Sequence, residues 1–345
     1  MKIIINGRFY SQRITGVQRY ARELVAQLDL LCDTGEIELA LPAGVQSPVF
    51  KNIRTVFVGR HQGVVWEQTE FSRYVRKQKA VSLNLCNSAP LRGQKIVCIH
   101  DVKVRAYPEF FSWKFRMWYS FLFRNFTKKA RAILTVSEFS KQEIIRYYHC
   151  NSADIHVIYN AWQHYDRVIA SEDAMLRYGL QNKNYVFSLG SLEPNKNLKW
   201  IIEVAKNNPE MIFAVGGGIN QNVFSHADIE LPANVRLLGY LGDADAKCLM
   251  KNCSAFLFPS FYEGFGIPPL EAIVAGAENV IVSDIPVMHE LFGDAVIYID
   301  PKKYDYRLKN ILKNTSDKGE EVLSRFSWER SARELREILR GMVRL

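Results

Sequence analysis

The sequence has no long apolar run, no cysteine framework and no low-complexity segment. It contains no stretch of about 18 consecutive apolar residues, which argues against a membrane-spanning helix. Its six cysteines form no Cys-x-x-Cys pair, so we expect reduced, mostly buried thiols of the kind found in cytosolic proteins. The opening Met1–Asn6 turns polar too soon for a signal peptide and is typical of a first strand. These absences favour a globular cytoplasmic protein.

Length and charge indicate two domains with different partners. A chain of 345 residues exceeds one typical domain of about 100–200 residues. Residues 1–170 carry 25 Lys and Arg against 13 Asp and Glu, a surplus of +12, whereas residues 171–345 carry 20 and 23, a balance of −3. The basic half should therefore meet something anionic, such as a phospholipid surface, a phosphorylated acceptor or nucleic acid.

Strand and helix patterns alternate along both halves, which predicts an α/β protein with two doubly wound, Rossmann-like domains. We place the domains at residues 1–165 and 166–345, with a terminal helix at about 328–340 that packs back on the first domain. The principal predicted helices span residues 17–31, 66–77, 112–131, 138–148, 198–207 and 328–339.

One stretch, Glu-Gly-Phe-Gly-Ile-Pro-Pro-Leu-Glu at residues 263–271, has the features of a ligand site. It follows an apolar strand, and Gly264 and Gly266 allow the backbone to turn tightly and approach a ligand. The prolines suit the first turn of a helix, where we also place Glu271. A helix N-terminus beyond a strand binds phosphate, while Glu263 and Glu271 suit hydroxyl groups. A nucleotide diphosphate sugar offers both. A structural glutamate capping a core helix remains the alternative.

The spacing of Glu263 and Glu271 resembles the E-x7-E signature of retaining GT-B glycosyltransferases of family 4. The resemblance implies two Rossmann-like domains facing across a cleft, with acceptor on the first and nucleotide sugar on the second. It further implies that Glu271 binds the ribose diol, that Glu263 binds the donor sugar, and that the backbone of residues 264–267 contacts the donor. The last group consists of Gly264, Phe265, Gly266 and Ile267.

Lys196 lies in the loop Gly190–Asn197 between a strand and a helix, where a cation can neutralise a phosphate. A solvated surface lysine is the alternative. Lys196 and Gly190 match the family's donor-binding loop, which usually carries an arginine as well. Here Ser191 and Asn195 occupy the two arginine positions, so diphosphate binding should depend on Lys196 and backbone amides, or on a cation from elsewhere.

Two positions in the first half match the same family. Gly16 precedes a helix, which indicates either close approach to a ligand or a simple helix entry. His100 follows a buried strand, a usual place for active-site groups, although a lone histidine is more often structural. The resemblance places Gly16 against the donor diphosphate and His100 against the transferred sugar.

The segment Ser112–Arg131 mixes aromatic residues with Lys and Arg. A helical wheel puts Phe115, Tyr119, Leu122 and Phe126 on one core-facing stripe. Bulky residues among cations on the other side suit a helix lying in an anionic membrane interface. The alternative is a second packed face with cations reaching outward. No nucleic-acid-binding motif accompanies the charge.

These patterns predict a retaining, metal-independent hexosyltransferase without a cofactor, with catalytic residues His100, Lys196 and Glu263. We expect a nucleotide diphosphate hexose or deoxyhexose as donor, with a weak indication of GDP-mannose, and mannose or rhamnose as the transferred sugar. The expected acceptor is a glycan, lipid-linked, in O-antigen or capsule assembly at the inner face of the cytoplasmic membrane. The alternatives are a GT-B nucleotide-sugar epimerase, or a non-catalytic sugar- or nucleic-acid-binding protein.

Overall fold

The computed structural model describes residues 2–190, 193–218, 231–313 and 316–343. The chain forms two compact units. The first extends to Asn160 and also includes the chain from Ser327 onward, and the second is Ala161–Phe326. The division thus follows Asn160, five residues before the position that we expected, and the terminal helix belongs to the first unit.

The described residues of the first unit contain a seven-stranded parallel sheet in the order β3-β2-β1-β4-β5-β6-β7. The strand order reverses between β1 and β4, so the loops that follow these two strands flank a topological switch point. The strands are β1 (Ile3–Asn6), β2 (Ile37–Leu41), β3 (Arg54–Phe57), β4 (Val81–Asn84), β5 (Lys95–Cys98), β6 (Ala132–Thr135) and β7 (Ile155–Val157).

Helices cover this sheet because their apolar faces pack on its buried strands. The second helix contains a π-helical turn, a rare form that occurs mostly as a single turn inside an α-helix and frequently at functional sites. The helices are α1 (Gly16–Leu31), α2 (Gly63–Trp66, the π turn Glu67–Phe71 and Ser72–Lys77), α3 (Lys103–Ala106), α4 (Trp113–Lys129), α5 (Glu138–Tyr148) and, at the end of the chain, α13 (Trp328–Val343).

The second unit has the same architecture. Its described residues contain a six-stranded parallel sheet in the order β10-β9-β8-β11-β12-β13, whose switch point lies between β8 and β11. The strands are β8 (Tyr185–Leu189), β9 (Ile212–Gly216), β10 (Val235–Gly239), β11 (Ala255–Phe258), β12 (Val280–Ser283) and β13 (Ile297–Ile299). The helices are α6 (Gln163–Asp166), α7 (Ala174–Arg177), α8 (Leu198–Asn207), α9 (Asp243–Asn252), α10 (Ile267–Ala275), α11 (Pro286–Phe292) and α12 (Gly319–Ser324).

Two doubly wound parallel sheets confirm the predicted fold class. Continuous apolar strands explain it, because residues such as Ile3–Ile5 and Phe256–Phe258 are buried on both faces of their sheets. Among the described residues, no helix is long and apolar enough to span a membrane.

The predicted core stripe of α4 is wrong in part. Phe115 is 40 % exposed, whereas Leu122, Phe123 and Phe126 are buried. Only the second half of the helix packs on its unit, so the predicted stripe wrongly includes Phe115 of the first half. The first half exposes Trp113, together with the cations beside it.

Candidate active site

The residues predicted to bind the donor lie at the switch point of the second unit. The loop after β8 carries Lys196, and the loop after β11 carries Glu263. Because β8 and β11 are adjacent and parallel, their carboxyl ends bring these two loops together. Open α/β sheets bind ligands in this position.

Lys196 and Glu263 form an ion pair. The Lys196 Nζ lies 2.6 Å from the Glu263 Oε1, and the two side chains are 22 % and 13 % exposed. The same ammonium lies 5.0 Å from the centroid of the Phe258 ring, which contributes a cation–π contact. The sequence assigned separate roles to the two side chains, and the structure brings them together.

Asn197 fixes the loop that carries Lys196, and we did not single it out from the sequence. Its backbone adopts φ of +59°, which asparagine tolerates better than most residues. Its Nδ2 donates to the carbonyl oxygens of Pro259 (3.0 Å) and Pro301 (2.8 Å), and its Oδ1 caps α8 at the N–H of Trp200. An asparagine directly before an apolar-periodic helix was the signal available.

The turn between Glu263 and α10 requires glycine at Gly266. Its φ is +110°, and a Cβ there would lie 2.9 Å from the Met288 Cε. The helix begins at Ile267, with prolines in its first turn as predicted. Since Pro268 and Pro269 have no N–H, the donors that this helix end can offer are the amides of Gly266 and Ile267. Neither amide has an acceptor in the part of the chain that the structure describes.

Glu271 does not lie in the first turn of α10, so the predicted dipole contact is wrong. It is the fifth residue of the helix, because the helix begins before the prolines. Its side chain is buried, and its Oε1 lies 3.0 Å from the Nε2 of His164, a buried residue of α6. His164 is a partner that sequence reasoning missed, since 107 residues separate the two.

The backbones of Gly190 and Gly217 approach each other closely at the carboxyl ends of β8 and β9. The Gly190 N–H donates to the carbonyl oxygen of Gly216 at 3.0 Å. Gly217 has φ of +149°, and a Cβ there would lie 1.6 Å from the Gly190 carbonyl oxygen. Only glycine therefore permits this close approach, which shapes the loop beside Lys196.

Asn195 and Ser191 occupy the two positions where the family usually has an arginine. Asn195 is buried, and its backbone carbonyl accepts from the N–H of Phe261, so this position is structural. Ser191 lies outside the described residues. Phe265 is also buried and packs edge-on against Phe326 with ring centroids 5.4 Å apart.

His100 and Gly16 belong to the first unit. The His100 ring is buried against Tyr20, and its Nε2 lies 2.8 Å from the carbonyl oxygen of Leu85. Because a carbonyl only accepts, Nε2 carries the proton. Burial lowers the pKa of His100 below its ordinary value of 6.5, and the Leu85 hydrogen bond opposes that shift. Gly16 is the first residue of α1, after a capping box formed by Thr15 and Gln18.

Asp243 and Asp245, which imitate a metal-binding Asp-x-Asp motif, belong to the first turn of α9. Asp245 pairs with Arg177 at 2.6 Å and accepts from the Tyr178 hydroxyl at 3.2 Å. The sequence suggests helix capping for this motif, but the N-cap position is held by Gly242, with no side-chain capping hydrogen bond, so with respect to the helix the two carboxylates are placed only to interact with its dipole. In the described part of the chain, no group of three or more His, Cys, Asp or Glu side chains is arranged to hold a metal ion.

Two known family models match this chain. A model described as "Glycosyltransferase Family 4" matches residues 14–162, and one described as "Glycosyl transferases group 1" matches residues 175–333. The chain belongs to glycosyltransferase family 4. The two matched regions cover most of both units of this family 4 chain and include Gly16, His100, Lys196, Glu263 and Glu271.

Relatives and solved structures agree with this assignment. The chain is 31 % identical to the O-antigen chain mannosyltransferase RfbU of Salmonella typhimurium over 65 % of its own length and 63 % of that protein. It is 26 % identical to O-antigen chain mannosyltransferase B of Escherichia coli over 95 % and 97 % of the two chains. Sucrose-phosphate synthase from Thermosynechococcus elongatus superposes with a TM-score of 0.74 at 14 % identity, covering 99 % of both chains. That likeness shows the fold, and the GT-B prediction is confirmed.

Proposed function

We propose that this glycosyltransferase moves a hexose, mannose, from GDP-mannose to a glycan acceptor in O-antigen assembly, with retention at the anomeric carbon. The choice of mannose and of O-antigen is supported by the two O-antigen mannosyltransferase relatives. The donor site is supported by the convergence of Lys196, Glu263 and the N-terminus of α10 at one switch point.

The second unit provides the groups that leaving-group departure needs. When the anomeric C–O bond breaks, negative charge develops on the diphosphate oxygen that leaves. The Lys196 ammonium and the amides of Gly266 and Ile267 can stabilise this negative charge. Stabilising the charge on the leaving diphosphate is the largest electrostatic requirement of the reaction. This cation and helix end take the role that a divalent metal has in other transferases, so we propose that transfer needs no metal.

Retention follows if the acceptor hydroxyl attacks from the face that the diphosphate leaves. The acceptor oxygen then bonds to the anomeric carbon, and its proton passes to the departing phosphate oxygen. Two flanking carboxylates of the kind used by retaining hydrolases are not required. Glu263, which pairs with Lys196, can accept hydrogen bonds from the donor sugar while it keeps the ammonium in place.

Glu271 and His100 have supporting roles in this proposal. Glu271, held by His164, would accept hydrogen bonds from the ribose diol. His100 is neutral near pH 7 because burial lowers its pKa, so its ring would contact the sugar without adding charge. Gly16 at the start of α1 would allow the backbone to approach the diphosphate closely.

The acceptor is proposed to be lipid-linked and presented at an anionic membrane. Support comes from α4, where Trp113 (64 %), Met117 (64 %) and Phe121 (53 %) are exposed. Arg116 and Arg124 line one open cavity together with these three residues. Neither arginine side chain has a carboxylate partner among the described residues. Exposed apolar groups interleaved with unpaired cations suit an anionic interface.

The single observation that carries the function is the Lys196–Glu263 pair at the carboxyl ends of β8 and β11. The test is transfer from labelled GDP-mannose, UDP-glucose, dTDP-rhamnose and a CMP-sugar to a prenyl-diphosphate oligosaccharide, with chelator present. We expect transfer from GDP-mannose, and an α-linkage in the product by NMR, as in the donor. No transfer from any donor overturns the function, and an inverted linkage overturns retention alone.

A further inference from the structure

Lys247 of α9 binds three backbone carbonyl oxygens with one ammonium group. Its Nζ lies 2.9 Å from the oxygen of Tyr165, 3.1 Å from that of Asp166 and 2.9 Å from that of Val168. An ammonium has three N–H donors, so these bonds use all of them. Within the described ranges of the chain, no carboxylate lies at ion-pair distance from Lys247. The side chain therefore serves the carboxyl end of α6 and not an acidic partner.

The helix α6 needs such a partner because it is only one turn long. A helix of four residues is not stable by itself. The last carbonyl oxygens of a helix have no partner within it, and a lysine side chain can bind them. Tyr165 and Asp166 are the last two residues of α6, so Lys247 caps this end. The position of α6 thus depends on contacts with the rest of its unit.

Packing supports the same end of α6. Tyr165 is buried, and its ring centroid lies 5.7 Å from the Lys247 ammonium. Its hydroxyl donates to the Met250 Sδ at 3.4 Å. Lys247 and Met250 are three positions apart in α9 and so lie on one face of that helix. One face of α9 therefore holds the carboxyl end of α6 by hydrogen bonds and by ring contact.

The other end of α6 has separate anchors. The Trp162 Nε1 donates to the carbonyl oxygen of Leu323 at 2.8 Å, and the Gln163 Nε2 donates to that of Phe326 at 3.0 Å. Neither bond involves Lys247. When Lys247 is replaced, α6 should therefore stay attached at its amino end and be released only at its carboxyl end, and the protein should stay folded.

His164 lies between these two sets of anchors, one residue before the first carbonyl that Lys247 binds. Its buried Nε2 lies 3.0 Å from the Oε1 of Glu271. A hydrogen bond is lost when its heavy atoms are more than about 3.5 Å apart, so a shift of about 0.5 Å in α6 suffices to break it. The Glu271 carboxylate is thus sensitive to where Lys247 holds α6.

We propose that Lys247 is a positioning residue for donor binding. It fixes the carboxyl end of α6, α6 places His164, and His164 orients the Glu271 carboxylate towards the ribose diol. The inference rests on the proposed function, which assigns the ribose to Glu271. It goes beyond that function because it gives a role to a lysine whose donors are all used within the protein.

One test needs no ligand. Proton–nitrogen NMR of protein with labelled histidine is recorded for wild type, Lys247→Met and Lys251→Met, the last at an exposed lysine of the same helix. The His164 ring signals are assigned by their absence from His164→Ala. We expect these signals to shift in Lys247→Met and to stay in place in Lys251→Met. Unchanged His164 signals in Lys247→Met would overturn the proposal.

A second test compares GDP with 2′,3′-dideoxy-GDP, which lacks both ribose hydroxyls. Lys247→Met should weaken GDP binding about threefold to tenfold, as expected for one misplaced hydrogen bond, and leave dideoxy-GDP binding unchanged. Lys251→Met should bind both like wild type. Because Lys247 acts through His164, Lys247→Met should add little to the loss already present in His164→Ala.

The outcomes separate this inference from the proposed function. Unchanged GDP binding in Lys247→Met, equal weakening of both ligands, or a full further loss in the double variant would overturn the positioning role. If wild type binds no nucleoside diphosphate, the proposed function fails, and the ribose role of Lys247 fails with it. The His164 signals then decide alone whether Lys247 positions His164.

Discussion

The Nζ of Lys196 lies 2.6 Å from the Oε1 of Glu263, and the pair joins the loops after two adjacent strands. Neither side chain is fully buried, so the pair adds little to stability in itself. The effect of the pair is to fix the positions of the two charged side chains. Each charge holds the other at the end of the sheet where a phosphorylated ligand would bind, beside the N-terminus of α10.

Lys196→Ala and Glu263→Ala should each reduce turnover by about 100-fold or more while the protein stays folded, since stabilisation of the leaving charge is lost or misplaced. The matched control is Lys206→Ala, an exposed lysine that pairs with Glu203 at 2.8 Å in the same unit. Turnover is measured by product formation, and folding by circular dichroism. Full activity in either site variant would remove that residue from the mechanism.

His164→Ala should weaken donor binding about tenfold, because Glu271 loses one of the partners that orient it. His164→Gln retains an N–H donor and should recover most of the affinity. The dissociation constant for GDP is compared in the three proteins. If Ala and Gln weaken binding equally, the hydrogen bond is not the cause, and if neither weakens it, His164 does not position Glu271.

The free energy of unfolding should fall on acidification because of His100. Its pKa is lowered in the folded state from an ordinary value of 6.5, so below that pH the unfolded chain binds more protons and unfolding becomes easier. The part of the unfolding free energy that depends on neutral His100 is fully present above pH 6.5 and is lost as pH falls towards the folded-state pKa. His100→Gln removes it while retaining a donor for the Leu85 carbonyl.

The measurement is denaturant unfolding at about pH 8 and about pH 5. The unfolding free energy of wild type should fall more between the two conditions than that of His100→Gln. An equal fall in both proteins would mean that the His100 ring titrates alike in the folded and unfolded states.

Membrane binding should depend on the exposed face of α4. In co-sedimentation, wild type should bind phosphatidylglycerol vesicles more than phosphatidylcholine vesicles, and Trp113→Ser with Phe121→Ser should lower binding about tenfold or more. Phe57→Ser, at a 55 % exposed phenylalanine elsewhere in the unit, is the control. Equal binding to both vesicle types, or none to either, would refute the membrane contact.

Local signals in the sequence predicted much of the fold. The helices Glu138–Tyr148 and Leu198–Asn207 were predicted at their observed bounds, since each follows a capping residue and carries a clear apolar period. The prolines placed α10 correctly, but not its first residue, and Glu271 was consequently misplaced by a turn. Boundaries shift in this way because the first turn of a helix tolerates several starting points.

What the sequence could not predict is contact between distant residues. Lys196 and Glu263 were both singled out, but their pairing across 67 positions depends on strand order. His164 carried no local signal, because its role arises from burial beside a partner far along the chain. Similarly, a helical wheel cannot tell that only the second half of α4 is covered.

The most direct test of the central claim is calorimetric binding of GDP, UDP, dTDP and CDP, with chelator present, to wild type, Lys196→Ala and Lys206→Ala. We expect that wild type selects GDP, that Lys196→Ala binds it at least about tenfold more weakly through loss of a charged hydrogen bond, and that Lys206→Ala binds normally. If no nucleoside diphosphate binds wild type, or if Lys196→Ala binds as tightly as wild type, the donor site does not lie at Lys196.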